Sequence, residues 1–146
     1  MKKALTLVCV FAFALSLAAD QHTEKPKSLY QRLGGYDAIA AVTDDFIGRL
    51  ATDKQIAKYF AGHSEDSLKK IRQHVVDQLC AATGGPCAYM GRDMKTSHKG
   101  MGITEAEWNQ AAALLVLTLD KFKVPAQEKS EVLAAVGTLK KDIVEK

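Results

Sequence analysis

No charge of one sign dominates this chain: 20 lysines and arginines face 17 aspartates and glutamates, a formal net of +3. So balanced a sequence sets up no strong field toward nucleic acid or anionic lipid, and nucleic-acid binding drops out of the functions to consider. Cysteine is scarce, three in all at positions 9, 80 and 87. A structural zinc site normally wants four ligands, so two isolated cysteines in the body of the chain do not point to one. Strand-like alternation is nowhere sustained, and there is no internal repeat, low-complexity tract or sign of a second domain. A flavin or nicotinamide fingerprint is missing too, so any redox turnover would draw its electrons from a separate redox partner.

What is present begins with an address. Met1-Lys2-Lys3 is a basic start, Ala4 to Leu17 is an almost unbroken apolar run, and Ser16, Ala18 and Ala19 precede polar Asp20-Gln21-His22. That order is a secretory signal peptide, residues 1–19, cleaved after Ala18 or Ala19. The run is shorter than the roughly 20 residues that span a bilayer, so no stable membrane anchor is expected after cleavage. Val8 ahead of Cys9 is not a small residue, which argues against a lipoprotein site. Residues 20–27, with Pro26, read as a flexible leader, and residues 28–146 as one domain long enough to bury a core. The expected destination is outside the cytoplasm, in the periplasm. Cys80 and Cys87 then remain, an even number in a chain bound for an oxidising compartment. The Gly84-Gly85-Pro86 turn folds Cys87 back toward the helix end bearing Cys80, which favours a disulfide over two free thiols.

The domain reads as all-α. Ser28 caps a single turn through Leu29 and Tyr30 that ends at Gly34-Gly35. The next helix starts near Asp37 with Ile39, Val42, Phe46 and Leu50 on one face, and Asp53 to Phe60 form a short helical corner. Ser64 or Ser67 begins a helix whose apolar stripe is Leu68, Ile71, Val75 and Leu79. Thr104 and Glu107 form a capping box for a helix with a buried stripe of Trp108, Ala112, Leu115, Leu119 and Phe122. Pro125 suits the first turn of the last helix, where Val132, Val136, Leu139 and Ile143 repeat the pattern. Lys140-Lys141 reads as a solvated helix end.

The four histidines do not weigh equally. His22 lies in the leader and His63 in a polar turn, both expected in solvent. His98 stands in a stretch punctuated by glycine, from Gly84-Gly85-Pro86 through Gly91-Arg92-Asp93-Met94 to Gly102-Ile103-Thr104, with amphipathic helices on both sides. An imidazole mounted this way is presented to a metal or cofactor held between helices. Together with Leu29-Tyr30-Gln31-Arg32-Leu33-Gly34-Gly35 and Tyr59-Phe60-Ala61-Gly62, these pieces resemble the group I truncated haemoglobins in order and separation, from about Leu29 to about Ile143. The resemblance implies a truncated globin, a two-over-two helical sandwich around one haem b. It places His98 as the proximal ligand of the haem iron, its second ring nitrogen donating to a backbone carbonyl of a preceding turn. It places Phe60 on the haem face, Phe46 in the pocket, Tyr89 and Met94 at the haem edge, and Lys70 where a basic residue pairs with a propionate. Trp108 reads as core between helices.

The distal side departs from the family. Ile47 stands where many relatives carry a tyrosine whose hydroxyl steadies bound oxygen, and Ile71 and Val75 stand where glutamine is common. A pocket without a donor holds oxygen poorly and lets the iron oxidise more readily, since distal donors help decide between binding, activation and electron transfer. His74 matches a position at which some cyanobacterial relatives carry a second axial ligand. It is expected to face the haem, as a hydrogen-bond donor or as that ligand. The resemblance therefore implies a haem protein that binds oxygen, nitric oxide or carbon monoxide. Two alternatives stand beside it: a haem enzyme, as nitric oxide dioxygenase or peroxidase-like, and a bis-histidyl electron-transfer protein.

Overall fold

The computed structural model describes residues 25–146. The expected signal at residues 1–19, Cys9, His22 and the first part of the leader lie outside the described residues. Ser28 opens the fold with a capping box: its hydroxyl accepts the Gln31 amide while the Gln31 side chain accepts the Ser28 amide, which starts α1, Leu29–Arg32. Gly34 and Gly35 follow at φ +98° and +82°. Glycine enters this left-handed region without steric cost, and the chain turns into α2, Tyr36–Thr52.

A single 3₁₀ turn, Ala57–Tyr59, forms the corner. The Ser64 side chain accepts the Ser67 amide and starts α3, Glu65–Ala82. A glycine-rich connection leads to α4, Met94–His98. The Thr104–Glu107 capping box forms as the sequence predicts and starts α5, Glu105–Lys121. Pro125 stands just ahead of α6, Ala126–Gly137.

The last helix is shorter than its stripe suggests. The chain breaks at Thr138 and Leu139 and resumes as α7, Lys140–Ile143. Gly137 is a weak helix former, and the Thr138 hydroxyl turns back to donate to the Ala135 carbonyl at 2.7 Å, a local bond that competes with helix continuation. Among the described residues there is no strand, and no helix is long and apolar enough to cross a membrane.

The helices stack as two pairs, α2 with α3 and α5 with α6, joined where α2 lies on α5; α4 packs against α7. Two small apolar clusters hold this together. Ile39, Val76 and Cys80 form one between α2 and α3, and Leu115, Leu119 and Val132 form the other between α5 and α6. On α3 the buried line is thus Val76 and Cys80, one step round from the expected stripe, while Leu68, Ile71, Val75 and Leu79 are half-buried. On α5, Phe122 at the expected end of the stripe is exposed, and Thr118 is fully buried instead.

Polar ties set the registers. Asp45 of α2 receives Arg49 at 2.7 Å, Thr118 of α5 at 2.9 Å, and Lys121. Arg72 of α3 pairs with both oxygens of Asp44 at 2.6 and 2.9 Å, the bidentate geometry that fixes orientation as well as distance. Arg32 forks to Glu128 and Glu131, which ties α1 to α6. Lys140 is not a purely solvated helix end: it reaches Glu105 at 2.6 Å.

Candidate functional site

The residues singled out by the sequence come from α2, the corner, α3, the glycine-rich connection and α4, and none is a buried member of the two core clusters. From α2 come Phe46 and Ile47, from the end of the corner Phe60, from α3 Lys70, Ile71, His74 and Val75, and from the glycine-rich connection and α4 come Tyr89, Met94 and His98. The apolar members Phe46, Ile47, Phe60, Ile71, Val75 and Met94 are half-buried, as is Trp108 of α5. Phe46 also packs against the Leu115 cluster and so borders the core. A small apolar cavity of about 110 Å³ is lined by Ile39, Val42, Leu119 and Val132 among others, and none of these candidate residues lines it.

His98 ends α4 and is half-buried. Its Nδ1 lies 2.8 Å from the Met94 carbonyl oxygen, one turn back on the same helix. A carbonyl can only accept, so Nδ1 is the donor in this contact, and in the neutral ring Nε2 is the nitrogen with a lone pair to offer. Among the described residues no group hydrogen-bonds that Nε2. The helix itself is started by Asp93, whose carboxylate accepts the Thr96 amide at 2.8 Å and the Thr96 hydroxyl at 2.7 Å. These bonds hold the Asp93 carboxyl below the ordinary aspartate range, the Thr96 amide contributing most.

Tyr89 lies in the connection between α3 and α4. Its ring meets that of His74 edge-on, and its hydroxyl donates to the Arg92 carbonyl at 2.6 Å, where the Ser97 hydroxyl of α4 also donates at 3.2 Å. The ring lies so close over Gly91 that a Cβ there would stand 2.3 Å from the Tyr89 hydroxyl oxygen. His74 itself is exposed, as are Lys70 and His63. Among the described residues no carboxylate lies within ion-pair distance of Lys70.

Behind the connection, the Cys80 and Cys87 sulfurs stand 2.00 Å apart with their Cα atoms at 5.8 Å. Gly85 lies between them, where a Cβ would meet the Tyr30 ring at 2.5 Å and the Cys80 sulfur at 2.7 Å. Glycine is required there by close approach.

Two groups beside the site were not visible as such in the sequence. Glu107 is legible as a cap, yet it also receives the Tyr59 hydroxyl at 2.9 Å and Lys58 Nζ at 2.5 Å. The Lys58 ammonium first, then the Thr104 amide, hold its carboxyl down to about 2. Burial first, then the Glu107 carboxylate, push the Tyr59 phenol up. Glu145, far along the chain, donates no sequence pattern at all, yet its carboxylate accepts the Gly100 and Gly102 amides beyond His98.

Residues 28–145 match the family model of the bacterial-like globins. The group 1 truncated hemoglobin GlbN of Mycolicibacterium paratuberculosis is 34% identical over 119 residues, 82% of this chain and 85% of that protein. The chain belongs to the group 1 truncated haemoglobins. Among solved structures, the truncated hemoglobin of Tetrahymena pyriformis in its Fe(III) form shares the fold at a TM-score of 0.75 and 24% identity, over 82% of this globin and 100% of that chain. The 2/2 hemoglobin of Synechococcus sp. PCC 7002, solved in the cyanomet state with covalently attached heme, gives 0.74 at 28% identity over 82% and 100%.

Membership of a globin family implies a haem, and the residues of this globin fit one. Large apolar side chains that a closed core would bury stand half-exposed on α2, the corner, α3 and α4. Beside them is an imidazole with one nitrogen fixed and the other bare. A flat apolar macrocycle with a metal at its centre is the group that this donor set and this surface suit.

Proposed function

We propose that this globin is a haem b protein that takes up a diatomic gas, namely oxygen, nitric oxide or carbon monoxide, at iron held by His98. The observation that carries the reading is the 2.8 Å bond from His98 Nδ1 to the Met94 carbonyl. It fixes the tautomer and ring orientation in which Nε2 is the metal-binding nitrogen, as a partner on the second nitrogen does for metal-ligating histidines generally. Haem, when bound, supplies an iron with one position for a protein ligand and one for an exogenous ligand.

The chain's own residues then divide the work. Phe46, Phe60 and Met94 would pack against the macrocycle and exclude water, and Lys70, without a carboxylate partner among the described residues, would be available to a propionate. Ile47, Ile71 and Val75 carry no hydrogen-bond donor, so on the opposite side from His98 the polar role falls to His74. Its exposed ring, touched by Tyr89 at the edge, is free to turn inward as a donor or as a second axial ligand. That freedom favours bis-histidyl electron transfer with a separate redox partner as the second reading. The signal at residues 1–19, export to the periplasm and a Cys80–Cys87 disulfide belong to the same proposal.

The test is the visible spectrum of the haem-loaded protein, reduced anaerobically without added ligand, for the natural sequence and for His98→Ala. Retention of the natural spectrum by His98→Ala overturns the reading; loss of haem, restored by added imidazole, supports it. Sharp low-spin bands in the natural protein would select the six-coordinate form, and a single broad high-spin band the open one.

A further inference from the structure

Helix α4 has five residues, too few to be stable by its own hydrogen bonds. Asp93 fixes its first turn. Its other end, where His98 sits, has no cap of that kind. Lys99 leaves the helix with ψ 126°, and Gly100 and Gly102 turn back at φ +82° and +66°. The Met101 amide closes the turn locally on the His98 carbonyl at 3.1 Å, and the two glycines are held from far along the sequence: the Gly100 amide donates to Glu145 Oε1 at 2.7 Å and the Gly102 amide to Oε2 at 2.5 Å.

The backbone around Glu145 completes the grip. The amides of Glu145 and Lys146 donate to the Ile103 carbonyl at 2.8 and 3.2 Å, and the Glu105 amide donates to the Lys146 carbonyl at 3.0 Å. Helix α7, which delivers this segment, is also the principal neighbour of α4. Hydrogen bonds from amides to an ionised carboxylate are roughly twice as strong as neutral ones. Two of them converge on one side chain here, where otherwise only water would meet the glycine amides.

We propose that Glu145 is a positioning residue for His98. By clasping the Gly100 and Gly102 amides it sets where α4 ends, and therefore where His98 Nε2 stands relative to the haem. The inference rests on the reading of His98 as the iron ligand. A ligand on a five-residue helix has no long element to fix its height, so the carboxylate clamp supplies the constraint from behind.

The experiment uses Glu145→Gln, which keeps one oxygen acceptor and turns an NH₂ group toward the other amide. Hydrogen exchange at the Gly100 and Gly102 amides, measured on the haem-free protein, is expected to quicken about tenfold, the effect of losing one charged hydrogen bond. Loss of ferric haem to an excess of a haem-free globin is expected to quicken severalfold, and the iron–histidine vibration of the photolysed carbonyl form to shift, with the far-ultraviolet dichroism unchanged. Should Glu145→Gln fail to fold, Glu145→Asp, one methylene shorter, takes its place with the same expectations. Unchanged exchange at both glycines overturns the clamp. Faster exchange with unchanged haem loss and an unshifted vibration overturns the positioning role. A natural protein that takes up no haem removes the reading of His98 and the positioning role with it, while the exchange measurement still decides whether the clamp exists.

Discussion

His74 and Tyr89 meet edge to face, ring centroids 5.9 Å apart and planes at 72°. The contact joins an exposed imidazole on α3 to a phenol whose hydroxyl is spent on the Arg92 carbonyl at 2.6 Å. Aromatic pairs in this arrangement contribute about 0.5–1.5 kcal/mol beyond area burial, enough to bias where the imidazole rests without locking it. His74→Ala is expected to change the spin state of the haem-loaded protein or raise its autoxidation rate, and Tyr89→Leu to alter the same observable by freeing the ring. Optical spectra and autoxidation rates unchanged in both variants would remove His74 from the site.

Glu107 gives the fold an acid-labile tie. Its carboxyl is held down to about 2 from an ordinary 4.5, chiefly by Lys58 and then by the Thr104 amide. A carboxyl whose folded-state value is depressed contributes stability that is fully present above the ordinary value and disappears as the pH falls through the depressed one. Acid unfolding of the haem-free protein is therefore expected to steepen between pH 4.5 and about 2. In Glu107→Gln that interval should flatten, with lower stability at neutral pH, as followed by dichroism against pH.

Gly85→Ala is expected to destabilise the fold by about 1–3 kcal/mol, the cost of forcing an added group into filled space. The new Cβ would stand 2.5 Å from the Tyr30 ring and 2.7 Å from the Cys80 sulfur. Gly62→Ala, at φ +81° with nothing within 4 Å, isolates the backbone cost of a left-handed residue from crowding. A denaturant midpoint for Gly85→Ala equal to the natural one would show that Tyr30 yields freely.

The bridge between Cys80 and Cys87 is expected to leave no thiol for alkylation in protein recovered from an oxidising compartment, and Cys87→Ser to lower stability by about 2–3 kcal/mol on loop-closure grounds. Cys80 is fully buried within the Ile39–Val76 cluster, so Cys87, half-buried, is the residue to change without opening the core. Two thiols alkylated without denaturant would remove the bridge.

The sequence speaks clearly where the signal is local. Ser28, Ser64 and Thr104 announce helix starts through a hydroxyl and the residue three along, and the glycines at 34, 35 and 84 stand where φ is positive. It speaks less clearly about which face of a helix is buried. Leu68, Ile71, Val75 and Leu79 look like a core stripe because they are apolar at helical spacing, yet Val76 and Cys80 are the buried pair. Both readings share a cause: α3 has apolar residues on two adjoining faces, one for the core and one for the site, and periodicity alone cannot divide them. Hardest to see were the long-range polar ties. Nothing near Glu107 names Tyr59 or Lys58, and nothing near Glu145 names Gly100, because a carboxylate reads the same in sequence with a distant partner or without one.

The separation between the two buried clusters and the half-exposed residues beside them has a consequence for substitution. Ile47, Ile71 and Val75 belong to neither Ile39–Val76–Cys80 nor Leu115–Leu119–Val132, and substitutions at half-exposed positions disturb folding far less than those in a filled interior. If these positions shape the distal side as proposed, they can change between polar and aliphatic side chains while the same scaffold survives each change. Chemistry at such a surface can be rewritten without touching the architecture that carries it.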